Sequence, residues 1–264
     1  MEIGIPKEIK VKEGRVGLIP AAAAELVNAG HQVFLQSNAG IGSGYSNSDY
    51  EQIGVRIAPD AQQLYEQSQL IIKVKEPVEG DLAHLREQHT IFCYLHLAAN
   101  PDLTKALQEI GLCAVGFETV ADGDRLPLLA PMSDIAGQLS IHIGSQLLHH
   151  YTGGKGVMLG GLAGTKRGKV VILGAGVAGR AAARVAASLG AEVCVFARRR
   201  EQQDQMRMLG PNVTALYPFQ SEIGKALLET DLLVGAVLVP GAKAPCIVSK
   251  TMVRQMQSGS VIVD

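Results

Sequence analysis

Hydrophobic positions along the chain fall into short runs separated by polar and amphipathic stretches. The run at Glu2–Pro6 predicts a strand, Pro20–Ala29 a helix closed by Gly30, and His31–Gln36 a second strand. Asn38–Gly44 is glycine-rich and reads as a loop. Leu70–Lys75, Thr90–His96 and Cys113–Glu118 are rich in β-branched and apolar residues and predict further strands. Pro101–Gly111 predicts a helix that begins on its proline. Strands alternating with helices build a parallel sheet covered on both faces. Turn residues collect over Asp122–Pro131 and mark a domain boundary there.

Beyond that boundary a long helix is expected, with Ser133 as its N-cap and Asp134 in the first turn. Ile135, Leu139, Ile143 and Leu147 recur every fourth position and predict its buried stripe. After a glycine-rich connector, Gly153–Gly168, Lys169–Leu173 reads as a strand, Val177–Leu189 as a helix ended by Gly190, and Ala191–Ala197 as the next strand. The fold class expected is α/β, with two doubly wound parallel-sheet (Rossmann-like) domains spanning residues 1–128 and 129–264. The last run, Gly259–Asp264, reads as a core strand, so the second sheet is expected to be incomplete at its C-terminal end.

Composition narrows the function classes. Of 264 residues, 47% are hydrophobic and 19% charged, which excludes a disordered chain. Lys and Arg number 24 against 25 Asp and Glu, so no basic surplus points to nucleic acid or an acidic membrane surface. Tryptophan is absent and aromatics make up 4%, which argues against base stacking. The opening residues carry Glu2, Lys7, Glu8 and Lys10, unlike a signal peptide. The longest apolar runs, around Val170–Gly179 and Leu232–Ala242, stop at about ten residues, where a membrane span needs about twenty. Cys93, Cys113, Cys194 and Cys246 form no CxxC pair and read as reduced, mostly buried thiols of a cytoplasmic protein. His142, His149 and His150 read as solvated or packing residues, and no metal site is expected.

Gly174-Ala175-Gly176-Val177-Ala178-Gly179 matches GxGxxG, and it follows an apolar strand and opens an alanine-rich helix. In that context Gly174 allows a tight turn, Gly176 lets the backbone approach a pyrophosphate, and Gly179 lets helix and strand pack closely. The helix N-terminus offers N–H donors and a positive dipole end to the phosphates. A dinucleotide fingerprint normally ends with an acid after the second strand, to hold the ribose hydroxyls. Here Ala197 occupies that position, followed by Arg198, Arg199 and Arg200. Guanidinium groups grip phosphate, so these residues favour NADP over NAD, unless the arginines simply form a solvated loop.

The segments IGIPKEIKVKEGRVGLIP, IIKVKEP, YLHLA, APMSDIAGQLS, GGKGVMLGG, VILGAGVAG, GAVLVPGAKAP and GSVIVD together resemble the alanine dehydrogenase/pyridine nucleotide transhydrogenase family, from residue 1 to residue 264. The alanine dehydrogenase branch is favoured, because YLHLA supplies a histidine that transhydrogenase-type chains lack. The resemblance implies reversible oxidative deamination of L-alanine to pyruvate and ammonia, with hydride transfer to NAD. It implies a substrate-binding first domain, a dinucleotide-binding second domain and an active site in the cleft between them. It also implies a homo-oligomer, commonly a hexamer, with neither nucleic acid nor membrane as partner.

Carried over residue by residue, Arg15 matches the arginine that binds the substrate carboxylate, Lys75 a substrate-contacting lysine, and His96 the catalytic histidine. Ser133 and Gly174–Gly179 match cofactor contacts, and the backbone around Ala236–Val239 lines the cofactor groove. From the residues alone, Lys73 and Lys75 are two apart, share a strand face, and are not distinguished. The odd separation of Cys93 and His96 places them on opposite faces and argues against a thiol–imidazole dyad. Ala197 departs from the family aspartate and leaves NAD and NADP both open. Related chains continue past the run at 259–264, so a truncated dehydrogenase with impaired or absent turnover is expected. The competing expectations are a dinucleotide-binding module without chemistry and a transhydrogenase component.

Overall fold

The structure is a computed structural model that describes residues 1–123, 125–238 and 245–264. The chain divides into two compact units, Met1–Leu126 and Pro127–Asp264. The first holds β1 (Glu2–Ile5), β2 (Gln32–Gln36), β3 (Arg56–Ala58), β4 (Leu70–Ile72), β5 (Thr90–Cys93) and β6 (Cys113–Gly116). They form one sheet in the order β3-β2-β1-β4-β5-β6, with every pairing parallel. The second holds β7 (Lys169–Leu173), β8 (Glu192–Phe196), β9 (Val213–Leu216), β10 (Leu232–Gly235) and β11 (Val261–Val263). Their order is β11-β10-β7-β8-β9, again parallel throughout.

Strands covered on both faces by crossover helices must be apolar along their length. β7 (KVVIL) and β8 (EVCVF) are accordingly buried from their second residue onward. In each sheet the order reverses beside the first strand of the unit, between β1 and β4 and between β7 and β10. In open α/β sheets, ligands settle outside the carboxyl ends of the strands at such a reversal.

Several strands end before the sequence pattern does. β4 stops at Ile72, β5 at Cys93 and β6 at Gly116, where Phe117–Thr119 turns into a short 3-10 helix. The apolar character of each run continues into a loop at the sheet's carboxyl edge, where side chains still pack although the strand ladder has ended.

The long helix spans Ala130–Leu147 and needs two corrections. Ser133 is not its N-cap: Pro131 lies in the first turn, and Ser133 and Asp134 sit inside the helix. Proline's fixed φ and missing N–H suit a helix start, so the helix begins before the serine. The stripe of Ile135, Leu139, Ile143 and Leu147 is not buried; these residues are 58, 48, 46 and 41% exposed. The buried face carries Gly137, Ser140, Ile141 and Gly144 instead. A Cβ on Gly137 would lie 2.1 Å from the carbonyl oxygen of Ala178, so the backbone of the long helix lies directly against the backbone of the helix Val177–Ser188. Periodicity located a stripe, but close packing of small residues decided which stripe faces inward. Gly137→Val is therefore expected to destabilise the second unit by about 1–3 kcal/mol, read as a lower urea midpoint; an unchanged midpoint would contradict this packing.

Two thiols, Cys93 and Cys194, are buried, while Cys113 and Cys246 are exposed, so the expectation of mostly buried cysteines holds for half of them. Cys113 opens the edge strand β6, whose first three residues are exposed. Among the described residues, no helix is long and apolar enough to cross a membrane.

Candidate active site

The first unit gathers its chemistry at the carboxyl edge of its sheet, in the loops after β1, β4 and β5. A pocket of about 510 Å³ opens there, walled by Lys7, Glu8, Glu13, Gly14 and Arg15 on one side and by Asn38, Ala39, Ile41 and Gly42 on the other. Arg15 reaches this pocket already paired. Its Nε and Nη2 donate to the two carboxylate oxygens of Glu13 at 2.8 and 2.7 Å, and its backbone N–H donates to the same group at 2.9 Å. A guanidinium has five N–H donors in one plane, so the outer edge keeps three of them for a ligand carboxylate.

Glu13 titrates far below the usual carboxylate range, at about 2, chiefly because the Arg15 side chain donates to it. The same bond raises Arg15 above its ordinary value. A carboxylate depressed on folding stabilises the fold above its unfolded value, near 4.5, and loses that contribution as pH falls towards 2. Comparing the wild type with Glu13→Gln, the difference in Tm should be constant above about pH 5.5 and shrink as acid is added below about pH 4.5. A difference that widens in acid would show that the pair is not what holds this loop.

The two lysines part company. The chain bends at Val74 and Lys75, and strict alternation ends with β4 at Ile72. Lys73 is 1% exposed, with its Nζ 3.4 Å from Glu8 Oε2 and 3.2 Å from Asp81 Oδ1. The hydroxyl of Tyr65 also donates to Asp81 Oδ1, at 3.0 Å. Lys73 is thus committed to the interior. Lys75 is half-buried, and its charge contributes to the depression of Glu13. Glu8 sits at the junction: its Oε1 accepts the N–H of Val74 at 2.7 Å and of Lys75 at 3.3 Å. Burial raises the Glu8 pKa, against the opposing pull of Lys73.

His96 follows β5 in a left-handed conformation, φ 50° and ψ 37°. For a residue other than glycine this backbone is strained and must be held by its surroundings. The carboxylate of Glu118 does so: it accepts the His96 N–H at 2.7 Å and the Leu95 N–H at 3.2 Å. The Tyr94 ring stacks on the imidazole, with centroids 6.2 Å apart and planes at 16°. Tyr94 also packs edge-on against Phe117 at 5.1 Å. Burial pushes the Tyr94 hydroxyl up while the Arg15 charge pulls it down, so the two groups are within electrostatic reach of one another. Cys93 is buried inside β5, and burial pushes its thiol up, which is unsuited to a nucleophile.

Arg15, Lys75 and His96 therefore share one edge of one sheet, although only Arg15 of the three walls the pocket itself. Glu8, Glu13, Tyr94 and Glu118 join them and were not singled out from the sequence. Glu13, two residues before Arg15, had a local signal; Glu118 had none.

In the second unit, the glycine turn follows β7 at the strand-order reversal. Gly174 has φ 102°, and a Cβ there would lie 2.4 Å from the Ala236 carbonyl oxygen after β10. At Gly179 a Cβ would lie 2.0 Å from the Gly174 carbonyl oxygen, whereas at Gly176 it would meet nothing within 4 Å. Two glycines are needed by the fold and the middle one faces open space. No side chain caps the helix at Gly176, so the first-turn N–H groups of Val177, Ala178 and Gly179 remain for an anion. Ala175 is buried and Val177 is exposed. This cradle fits a dinucleotide pyrophosphate.

Ala197 is buried just after β8, and Arg198, Arg199 and Arg200 are exposed. Ser133 lies in the first half of the long helix, half-buried. Val239 falls outside the described residues. His142, His149 and His150 are exposed, and among the described residues no group of three or more His, Cys, Asp or Glu could hold a metal ion.

The chain matches the family description "Alanine dehydrogenase/PNT" twice, with the N-terminal domain over residues 4–136 and the C-terminal domain over 140–264. It is 45% identical to an alanine dehydrogenase of Bacillus subtilis, over 100% of this chain and 70% of that protein. It is 46% identical to an alanine dehydrogenase of Methanococcus maripaludis, over 100% of this chain and 71% of that protein. Among solved structures, an L-alanine dehydrogenase superposes with a TM-score of 0.89 at 47% identity, covering 99% of this chain and 73% of the other. A transhydrogenase from Sinorhizobium meliloti superposes with a TM-score of 0.84 at 24% identity, covering 99% and 77%, a likeness of fold alone.

Proposed function

This chain belongs to the alanine dehydrogenase/PNT family, and from that premise we propose how its own residues serve the reversible oxidative deamination of L-alanine to pyruvate and ammonia. The observation that carries the reading is the grouping of Arg15, Lys75, Tyr94 and His96 at one carboxyl edge, in a chain 45% identical throughout to an alanine dehydrogenase.

A small amino or 2-oxo acid needs a cation for its carboxylate. Arg15 supplies the outer edge of its guanidinium, with Glu13 holding the inner edge and fixing the plane. Lys75 donates to the carbonyl or carbinolamine oxygen and stabilises the negative charge that develops there. Adding water to the imine gives the carbinolamine, which then expels ammonia to leave the ketone; this requires a group that takes a proton from the water and gives one to the departing amine, and His96 holds that role. Tyr94, stacked on the imidazole, keeps the ring plane in place.

The bound NAD-type dinucleotide supplies the hydride acceptor. Gly174 to Gly179 and the N–H groups of Val177, Ala178 and Gly179 would hold its diphosphate, with Ser133 as a further contact. A second reading concerns its adenosine end: with Ala197 where an acid would exclude a 2′-phosphate, and Arg198 beside it, NADP is accepted as well as NAD. We place the protein in the cytoplasm as a homo-oligomer.

Alanine-dependent reduction of NAD and NADP, measured side by side on this chain, tests the assignment. Turnover that needs both alanine and dinucleotide supports it. Dinucleotide binding without turnover would assign a non-catalytic binding module instead. A KM for NADP far above that for NAD would reject the second reading.

A further inference from the structure

Lys73, Asp81 and Tyr65 form a buried polar cluster for which the proposed reaction has no use. Lys73 is 1% exposed and Asp81 4%, and a buried charge is tolerated only when it is paired. The cluster ends at Glu8, itself 8% exposed, whose two oxygens do different things. Oε2 faces Lys73 Nζ at 3.4 Å and has no partner of hydrogen-bond quality. Oε1 takes the backbone N–H groups of Val74 and Lys75 at 2.7 and 3.3 Å. Without that oxygen, Val74 would leave a buried N–H unsatisfied, and the bend would lose both of these bonds, keeping the Tyr94 N–H to the Val74 carbonyl at 3.1 Å. In a regular strand, Lys73 and Lys75 would point the same way; here Lys73 is fully buried while Lys75 is half-buried.

We propose that Glu8 is a positioning residue for Lys75: its carboxylate, anchored by Lys73 and through it by Asp81, fixes the Val74–Lys75 bend and so aims the Lys75 amine at the substrate. Glu8 touches no reacting atom and acts only through the backbone of the lysine's own residue. The inference rests on the substrate role given to Lys75 above, and its test is built in two parts for that reason.

The first part does not depend on substrate. The Lys75 amine is labelled with acetic anhydride and its rate read by mass spectrometry, with Lys12 on the same unit as internal reference. In Glu8→Gln the Lys75 rate should change at least about threefold relative to Lys12. Glu8→Asp, which keeps the charge beside Lys73 but withdraws it from the two amides, should do the same and guards against a variant that fails to fold. An unchanged ratio in a folded variant overturns the proposal.

The second part measures pyruvate binding by calorimetry at saturating NADH. Glu8→Gln should weaken pyruvate about tenfold and leave NADH affinity unaltered, consistent with the loss of a hydrogen bond to a charged group. Lys75→Met should weaken it further, and the double variant should be no weaker than Lys75→Met alone. Fully additive losses overturn the proposal, because Glu8 would then act on something other than Lys75. If the wild type binds NADH but not pyruvate, the substrate reading fails, and the labelling ratio alone decides whether Glu8 sets the lysine.

Discussion

His96→Ala is expected to lower alanine-dependent turnover by a factor of about 10³ or more while leaving dinucleotide affinity within about twofold of the wild type. The expectation follows from where the residue sits. Its ring lies against Tyr94 at the sheet edge, in the first unit, whereas the glycine turn belongs to the second. The backbone there is left-handed, and Glu118 holds its N–H, so alanine inherits the same restraint and the loop keeps its shape. The loss should appear in kcat with only a modest change in the KM for alanine, since the carboxylate is held by Arg15. Stopped-flow traces of NADH formation and a separate fluorescence titration of NADH would provide both numbers. An equal loss of turnover and of dinucleotide binding would mean that His96 serves the fold rather than the proton.

Gly179→Val should do the reverse and abolish dinucleotide binding, by a factor of at least about 10², without touching the acid-binding edge. The added Cβ would arrive 2.0 Å from the carbonyl oxygen of Gly174, a backbone atom with nowhere to retreat. Gly174 is itself pinned, since its N–H donates to Phe196 and its own Cβ position is filled by the Ala236 carbonyl. The turn must open, and the first-turn N–H groups then lose the common aim that an anion requires. Gly176→Ala is the informative control. It meets no protein atom within 4 Å, so it should fold normally and weaken only the bound dinucleotide. Wild-type NADH affinity in Gly179→Val would remove the glycine turn from the function.

The opening of the second sheet was the most legible part of the sequence, whereas β9 and the helices at Arg200–Arg207, Gln220–Leu227 and Lys250–Gln255 were not read, nor was β3 in the first unit. β7 was read to the residue and β8 to within one at each end, because strands buried on both faces advertise themselves as unbroken apolar runs. The glycine turn was legible because each glycine answers a separate geometric demand. The long helix was misjudged because a fourfold period does not say which stripe lies inward, and Gly137 and Gly144 allowed a closer approach than the aliphatic stripe could. In the first unit, Arg15 and His96 were found through resemblance, while their partners were not. Glu8 and Glu118 work by accepting backbone N–H groups from segments 66 and 22 positions away, and such bonds leave no trace in local composition. The residues alone left Lys73 and Lys75 undistinguished for a related reason: a carboxylate from elsewhere holds the chain in a bend where a regular strand would have kept both on one face.

The parallel order of the first sheet also makes the acid-binding edge depend on long-range contacts. β1 and β4 are neighbours although they lie far apart in the chain, so the loops that bring Glu8 to Val74 meet across the whole intervening segment that carries β2 and β3. Closing such distant contacts costs chain entropy before any contact rewards it, and sheets of this topology assemble slowly. During refolding from denaturant, helical signal should return well before the ability to bind a 2-oxo acid. Recovered ligand affinity therefore reports that β1 and β4 have come together and that Glu8 has reached Val74.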